Sequence, residues 1–198
     1  MLSGIATRLA SREAGVAAAL ITLSSGALLL QLRPMRIDHH GWQIAMAVLA
    51  LSTIFWPNVR KAGLVLGLAL SVWLHISLEG APMMAAFFLL LGLRWVRDAG
   101  EGERLFWAIL SFGSGSILLF FGTQAAGVYA TIYCDTISPP HMAANAMAAI
   151  MMLPAIRLLP DDWRFRLLAA AFAGGGALAI LLLTAPQCAG GAFGNMDP

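Results

Sequence analysis

Residues 164–185 read RFRLLAAAFAGGGALAILLLTA, and this stretch decides the class of fold. Beyond Arg166 no charged side chain follows until after Ala185. A helix needs roughly 20 mainly apolar residues to cross the hydrocarbon core of a bilayer. The glycines at 174–176 suit close helix contact better than a strand or a turn. The stretch therefore predicts a membrane-spanning helix.

The composition of the whole chain agrees with this interpretation. Of 198 residues, 60% are hydrophobic and 11% are charged, and the mean hydropathy is +0.80. A soluble domain normally carries about a quarter charged residues. The sequence therefore predicts an integral membrane protein, with no basic patch of the kind that binds nucleic acid.

Seven apolar stretches predict an all-α, polytopic transmembrane helix bundle that forms a single domain over residues 1–198. Helices are the natural choice, because lipid offers no partner for backbone polar groups. The stretches at 42–57 and 81–96 are short for a span. No small-residue cleavage site follows the first stretch, which predicts a retained span rather than a signal peptide. The seven spans lie at about 14–32, 42–57, 62–78, 81–96, 105–127, 141–159 and 164–185.

The basic residues predict the orientation of the bundle. Cytoplasmic loops carry the excess of Lys and Arg, so the side that holds more of them is assigned to the cytoplasm. With the N-terminus inside, Arg33 and Arg36 are the two basic residues that fall outside. The other ten of the twelve fall inside: Arg8, Arg12, Arg60, Lys61, Arg94, Arg97, Arg104, Arg157, Arg164 and Arg166.

The predicted outer loop QLRPMRIDHHGWQ, residues 31–43, gathers groups that suit metal chemistry. Carboxylate and imidazole are ligands for divalent ions such as Mn, Fe and Zn. In an extended backbone, residues two apart point the same way, so Asp38 and His40 could share an ion while His39 faces elsewhere. Such an ion could bind a diphosphate, and Arg33 or Arg36 could pair with its oxygens.

The same residues also allow a purely structural interpretation. Asp38 precedes an apolar run and could be a helix N-cap, while the histidines could lie at headgroup level. Arg33 and Arg36 could pair with anionic lipid. From spacing alone this interpretation is favoured, because a single Asp-x-His pair is a weak signal.

A family resemblance favours the metal site. Residues 12–51, REAGVAAALITLSSGALLLQLRPMRIDHHGWQIAMAVLAL, resemble part of the oligosaccharyltransferase catalytic subunit, a membrane glycosyltransferase of the GT-C class. The segments CDTISPPH and APQCAGGAFGNMDP look similar to outer-loop segments of bacterial relatives. The resemblance implies glycan transfer from a polyprenyl-phosphate-linked donor at the outer face of a bacterial inner membrane. Asp38 and His40 match the positions that bind the divalent ion, Mn or Mg, in that family.

The chain also departs from the family pattern. The family has a first catalytic aspartate in an earlier outer loop, and it continues with further spans, an outer-loop glutamate and a soluble domain with a W-W-D motif. No residue of this sequence matches these features. We therefore expect a middle portion of a GT-C membrane domain or a reduced relative, with an incomplete catalytic set and no assigned catalytic residue. The alternative is a non-catalytic membrane scaffold or lipid-handling protein whose loop residues bind headgroups.

Other predicted outer segments hold further candidates. Glu79 and Asp135 could contribute to an outer-face site, although Glu79 could equally be a helix-end residue that faces headgroups. Cys134 and Cys188 are the only cysteines, and both fall in predicted outer segments, where the compartment permits disulfides. The alternatives are a bridge and two free thiols, and the shared side favours the bridge.

Overall fold

The computed structural model describes residues 1–31 and 39–190, with the side chain of residue 128 left aside. Within these residues the secondary structure is helical, without a strand. Short 3-10 turns occur at Leu78–Gly80, Ala99–Glu101, Ala126–Val128 and Pro186–Gly190. The α-helices are α1 (Leu2–Leu9), α2 (Arg12–Ser24), α3 (Gly26–Gln31), α4 (His40–Thr53), α5 (Val59–Ile76), α6 (Ala81–Arg97), α7 (Gly102–Thr123), α8 (Pro139–Leu158) and α9 (Trp163–Thr184).

Five helices in the described part of the chain, α5 to α9, are long and apolar enough to cross a membrane. They match the last five predicted spans to within a few residues. Their surface is apolar as well, since the side chains of Leu118 and Leu183 are 74% and 81% exposed. Exposed leucines on such helices fit contact with hydrocarbon. The described residues therefore confirm the all-helical prediction and contain five helices that could span a membrane.

The first two predicted spans form shorter helices than the sequence indicated. The stretch 14–32 is interrupted at Ser25, whose backbone is extended and whose hydroxyl accepts a hydrogen bond from Leu28 N at 3.5 Å. Ser25 thus caps α3 instead of continuing α2, as serine often does at a helix start. The stretch 42–57 forms α4, whose 14 residues extend about 21 Å at about 1.5 Å per residue.

Helices α5 and α7 pack closely against each other. Gly63, Gly67 and Ser71 lie four residues apart along α5, on the face that meets α7. A Cβ on Gly67 would lie 2.8 Å from Phe112 N, and one on Gly115 would lie 2.5 Å from Ser71 Oγ. Small residues at this spacing let two membrane helices approach until their backbones touch.

The two ends of the bundle differ in character. The disulfide end consists of the connections 77–80 and 124–138 and the segment 185–190, and it holds both cysteines. The opposite end, the arginine end, consists of the connections 54–58, 98–101 and 159–162 with the adjoining helix turns. From residue 59 to residue 190, every Lys and Arg of the sequence lies in or beside the connections of the arginine end.

Two buried arginines bind helix ends at the arginine end. Arg104 is 3% exposed and donates to Thr53 O at 2.7 Å and to Trp56 O at 3.1 Å. Its Nε donates to Glu101 Oε2 at 2.9 Å. Arg166, 7% exposed, donates to Val96 O at 3.1 Å. These contacts satisfy carbonyl groups where α4 and α6 end, as cations at helix C-termini do.

Candidate metal centre at the disulfide end

Three side chains with metal-ligating atoms meet at the disulfide end. His39 and His40 stand at the start of α4, and Glu79 lies in the 3-10 turn between α5 and α6. The distance from His39 Nε2 to Glu79 Oε2 is 3.5 Å, and the two imidazole rings stack with centroids 4.4 Å apart. One ligand atom from each of the three residues lies within 4.8 Å of the others.

The start of α4 explains why both histidines face Glu79. His39 is the N-cap residue with a helical backbone conformation (φ −70°, ψ −17°), and His40 is the first residue of the helix. Successive side chains in a helical turn diverge by about 100° and do not alternate as in a strand. Two adjacent histidines can therefore both turn toward a group beside the helix end.

The turn that carries Glu79 is fixed by its neighbours. The hydroxyl of Ser77 accepts a hydrogen bond from Glu79 N at 3.3 Å and caps the turn. Gly80 lies directly on the indole of Trp73, where an added Cβ would be 2.8 Å from Cδ1. This close approach needs glycine, and it determines the position of Glu79 relative to α5.

The geometry of the three groups fits a divalent ion after a small adjustment. Imidazole nitrogens and carboxylate oxygens bind zinc at about 2.0–2.2 Å, so two ligands of one ion lie at most about 4.3 Å apart. The 3.5 Å between His39 Nε2 and Glu79 Oε2 meets this limit. The ligand atoms of all three residues lie within 4.8 Å of one another, which exceeds the limit by about 0.5 Å at most. Side chains at this exposure can rotate by that amount.

The donor set also restricts the kind of ion. Two imidazoles with one carboxylate suit Mn, Fe or Zn, whereas Mg prefers oxygen ligands and keeps several waters. Of the two ions implied by the family resemblance, this set fits Mn better than Mg. The side chains of His39 and Glu79 are 44% and 50% exposed, so coordination positions would remain open to an incoming ligand.

The predicted site residues divide into three groups. Asp38, Arg33 and Arg36 lie outside the described residues. His40 and Glu79, named from the sequence, are brought together, although they lie in separate parts of the chain. Asp135 is exposed in the connection between α7 and α8 and does not belong to the group.

His39 joins the group although the sequence did not predict it. Its side chain was expected to face elsewhere, because an extended backbone was assumed for residues 38–40. The structure instead places its Nε2 against Glu79. The apolar run that begins at Ile44 was the available signal, since its closeness to the histidines indicated that a helix could already have begun there.

A disulfide joins two connections at the same end of the bundle. Cys134 and Cys188 are bonded, with their Cα atoms 5.1 Å apart, and they close a loop with a sequence separation of 54 residues. The bond ties the connection between α7 and α8 to the turn that follows α9. Of the two alternatives that the sequence left open, the structure therefore contains the bridge.

Nearby polar groups have structural roles. His75, one turn before Glu79, has Nδ1 at 2.8 Å from Ser71 O and lies outside the group of three ligands. The hydroxyl of Ser138, at the start of α8, donates to Tyr133 O at 2.9 Å. The first contact lies within α5, and the second joins the start of α8 to the connection before it.

No family model matches this chain, and neither a search of curated proteins nor a search of solved structures finds a match.

Proposed function

We propose that this protein binds a lipid-linked phosphate at the outer face of a bacterial inner membrane, with a divalent ion held by His39, His40 and Glu79. The reaction would be transfer of a glycan from a polyprenyl-phosphate-linked donor, as the resemblance of residues 12–51 to GT-C oligosaccharyltransferases suggests. One observation carries the proposal: two histidines and a glutamate from separate segments converge at one end of a membrane bundle.

The outer position of this site is part of the proposal, and two independent features support it. Between residues 59 and 190 all Lys and Arg residues lie at the arginine end, which favours a cytoplasmic position for that end. A disulfide persists in oxidising compartments, which favours the outside for the opposite end. Glu79 belongs to that disulfide end, so the metal-ligating group would face outward.

The proposal retains seven membrane crossings with the N-terminus inside. Helix α4 extends from His40, beside Glu79, to Thr53, whose carbonyl accepts from Arg104, so it connects the two ends of the bundle. Arg8 donates to Phe55 O at 3.2 Å, which keeps the end of α1 at the arginine end. From there α2 and α3 would lead to the loop before His39. These contacts support the first and second crossings, which precede the five formed by α5 to α9.

The chemistry follows from the charges at the site. A divalent ion supplies positive charge that stabilises the oxygens of the bound phosphate. The same charge stabilises the phosphate group that leaves when the glycan is transferred. His39 and His40 would hold the ion through neutral imidazole nitrogens, and Glu79 would reduce its net charge and fix its position. Such preorganised charge acts most strongly on the negative charge that develops as the glycosidic bond breaks.

Residues before α4 would complete the site. Asp38 directly precedes His39 in the chain and is the further ligand that the resemblance implies. Arg33 and Arg36 would donate hydrogen bonds to the donor's diphosphate, since guanidinium groups match phosphate oxygens in a bidentate manner. The glycan acceptor and the base that activates it have no assigned residue in this chain.

The experiment measures binding of a short-chain isoprenoid diphosphate to the purified protein in lipid nanodiscs, with Mn²⁺ and with chelator. We expect binding to require Mn²⁺ and to weaken at least tenfold in His40→Ala and in Glu79→Gln, as loss of a ligand predicts. Asp135→Asn is the matched control, because it removes an exposed carboxylate from the same end of the bundle without touching the group.

Two results would decide against the proposal. Equal binding with and without Mn²⁺ would leave the histidines without a role and would favour the non-catalytic, lipid-handling alternative. Equal losses in Glu79→Gln and Asp135→Asn would mean that the surface charge of the disulfide end, and not a built site, attracts the diphosphate. Asp38→Ala should weaken Mn²⁺ binding, and should reduce glycan transfer by membranes that contain the protein, to the same extent as His40→Ala.

A further inference from the structure

Two exposed arginines at the arginine end stack on neighbouring aromatic rings of α7. Arg60 of α5 has its Cζ 4.2 Å from the ring centroid of Trp107, and Arg157 of α8 has its Cζ 4.0 Å from that of Phe106. The two rings are adjacent, with centroids 5.7 Å apart. Cations are attracted to the faces of aromatic rings at such distances. The two guanidinium groups therefore approach the start of α7 from the helices that pack on it.

Glu103 connects these side chains. It lies one turn before Trp107, and its Oε1 accepts a hydrogen bond from Trp107 Nε1. Its Oε2 lies 2.9 Å from Arg157 Nη1, and Arg60 is close enough to interact with the same carboxylate. A guanidinium group that is stacked on a ring and held by a charge is already ordered, so a ligand that binds it pays less entropy.

The charges of this cluster do not cancel. In the part of the chain that the structure describes, Arg60 makes no ion pair, and Glu103 is the carboxylate that pairs with Arg157. Two guanidinium groups and one carboxylate carry a net charge of +1, which one phosphodiester group would neutralise. Arg60 is exposed, and the side chain of Arg157 is 48% exposed, so an anion can reach both.

Beyond these charges, α7 presents an apolar strip on the same face. Leu110, Ile117 and Phe121 follow Glu103 by 7, 14 and 18 residues, and this spacing keeps all four on one side of a helix. The three apolar side chains are exposed on a helix that is long enough to cross a membrane. From Leu110 to Phe121 the strip is about 16 Å long, at about 1.5 Å per residue.

The strip distinguishes a lipid from a soluble anion. A soluble phosphate would use the arginines alone, whereas a phospholipid has a phosphate at the membrane surface and acyl chains that extend toward the bilayer centre. Phe106 and Trp107 separate the charges from the strip, as aromatic side chains do at the boundary between headgroups and hydrocarbon. Basic groups between helix ends on the cytoplasmic side suit the anionic lipids of that leaflet.

We propose that the start of α7, with Arg60 and Arg157 beside it, is a binding site for an anionic phospholipid. The two guanidinium groups bind the phosphate, and Glu103 keeps Arg157 and Trp107 in place. One acyl chain lies along the strip from Leu110 to Phe121. The metal-ligating group lies at the opposite end of the bundle, so this site does not depend on the proposed function.

The test compares phosphatidylglycerol with phosphatidylcholine of the same acyl chains, because both contain a phosphodiester but only the first has a net negative charge. Binding to the full protein in detergent is measured by native mass spectrometry in about 0.15 M salt. We expect phosphatidylglycerol to bind at least about fivefold more tightly. A phosphatidylglycerol with a diazirine in one acyl chain should label the segment 110–121. Unlabelled phosphatidylglycerol should suppress that labelling, and phosphatidylcholine at the same concentration should not.

Variants test whether the two arginines form the site. Arg60→Gln and Arg157→Gln should each weaken phosphatidylglycerol binding about fivefold, the effect expected for one cation near a phosphate, and should leave phosphatidylcholine binding unchanged. Arg97→Gln is the matched control, because it removes an exposed arginine from the same end of the bundle but outside the cluster. It should change phosphatidylglycerol binding by less than about twofold, since salt screens exposed charges that are far apart.

Three results would overturn the inference. Equal binding of the two lipids would mean general contact with lipid only. Equal losses in Arg60→Gln and Arg97→Gln would mean that the total charge of the arginine end attracts the lipid. Displacement of phosphatidylglycerol by glycerol phosphate at the same concentration would identify a site for soluble anions. The comparison of the two lipids uses the unaltered protein, so it decides the question even where a variant fails to fold.

Discussion

Replacing Gly67 with alanine tests the close contact between α5 and α7. The added Cβ would lie 2.8 Å from Phe112 N and closer still to Ala108 O, both of them backbone atoms of α7. Ordinary contact begins near 3.4 Å, so the helices must separate by more than about 0.6 Å. A gap of that size already loses about a quarter of the dispersion energy of the contacting atoms.

Two opposing effects determine the expected change in the free energy of unfolding. Overpacking a tight interface costs about 1–3 kcal/mol, and two backbone clashes indicate the upper part of that range. Alanine also favours the helix by about 1 kcal/mol relative to glycine. The net destabilisation should be about 2 kcal/mol, which corresponds to a fall in melting temperature of about 4–8 °C for a chain of this size.

Thermal unfolding in detergent, followed by far-UV circular dichroism, measures this difference. Gly122→Ala is the matched control, because it lies on α7 and a Cβ there meets no atom within 4 Å. That control should leave the melting temperature unchanged or raise it slightly. If Gly67→Ala melts at the same temperature as Gly122→Ala, α5 and α7 are not in backbone contact and the described packing is wrong.

Three further predictions concern the two ends of the bundle. Reduction of the Cys134–Cys188 bond, which spans 54 residues, should lower the free energy of unfolding by about 4 kcal/mol. Reductant should therefore lower the melting temperature of the unaltered protein and leave that of Cys134→Ser/Cys188→Ser unchanged. Arg104→Ala should cost about 3 kcal/mol in the same assay, since it leaves two carbonyl groups without their donor and Glu101 with Arg94 as its remaining arginine partner. A cost below about 0.5 kcal/mol would show that water replaces the guanidinium. Gly80→Ala should displace the turn from Trp73 and weaken Mn²⁺ binding about tenfold, while unchanged binding would show that this turn does not position Glu79.

The sequence predicted the long spans well, because an apolar run flanked by charges admits few other structures in a membrane. The five helices α5 to α9 begin and end within a few residues of the predicted limits. Helix α2 and helix α3 were predicted as one, since hydropathy does not register that Ser25 caps a new helix. The end of α4 at Thr53, before the predicted limit of 57, was not predicted either, because Arg104, which binds the carbonyl of Thr53, comes from a distant part of the chain.

The candidate site, like the fold, could be predicted only in part from the sequence. His40 and Glu79 could be named from residue type and from the side of the membrane to which each was assigned. That the two residues lie close together could not be predicted, since it depends on how α4 packs beside α5 and on Gly80 lying against Trp73. His39 was missed because its role depends on the residue at which the helix begins, which hydropathy locates only to within a few residues.

X-ray absorption at the manganese edge tests the proposed metal centre most directly, because it identifies the atoms bound to the ion. The protein is loaded with one equivalent of Mn²⁺ in nanodiscs and compared with its His39→Ala/His40→Ala variant. We expect imidazole scattering from two histidines in the unaltered protein and its loss, with weaker binding, in the variant. A first shell of oxygen atoms alone, unchanged by the substitutions, would contradict the proposed ligand set.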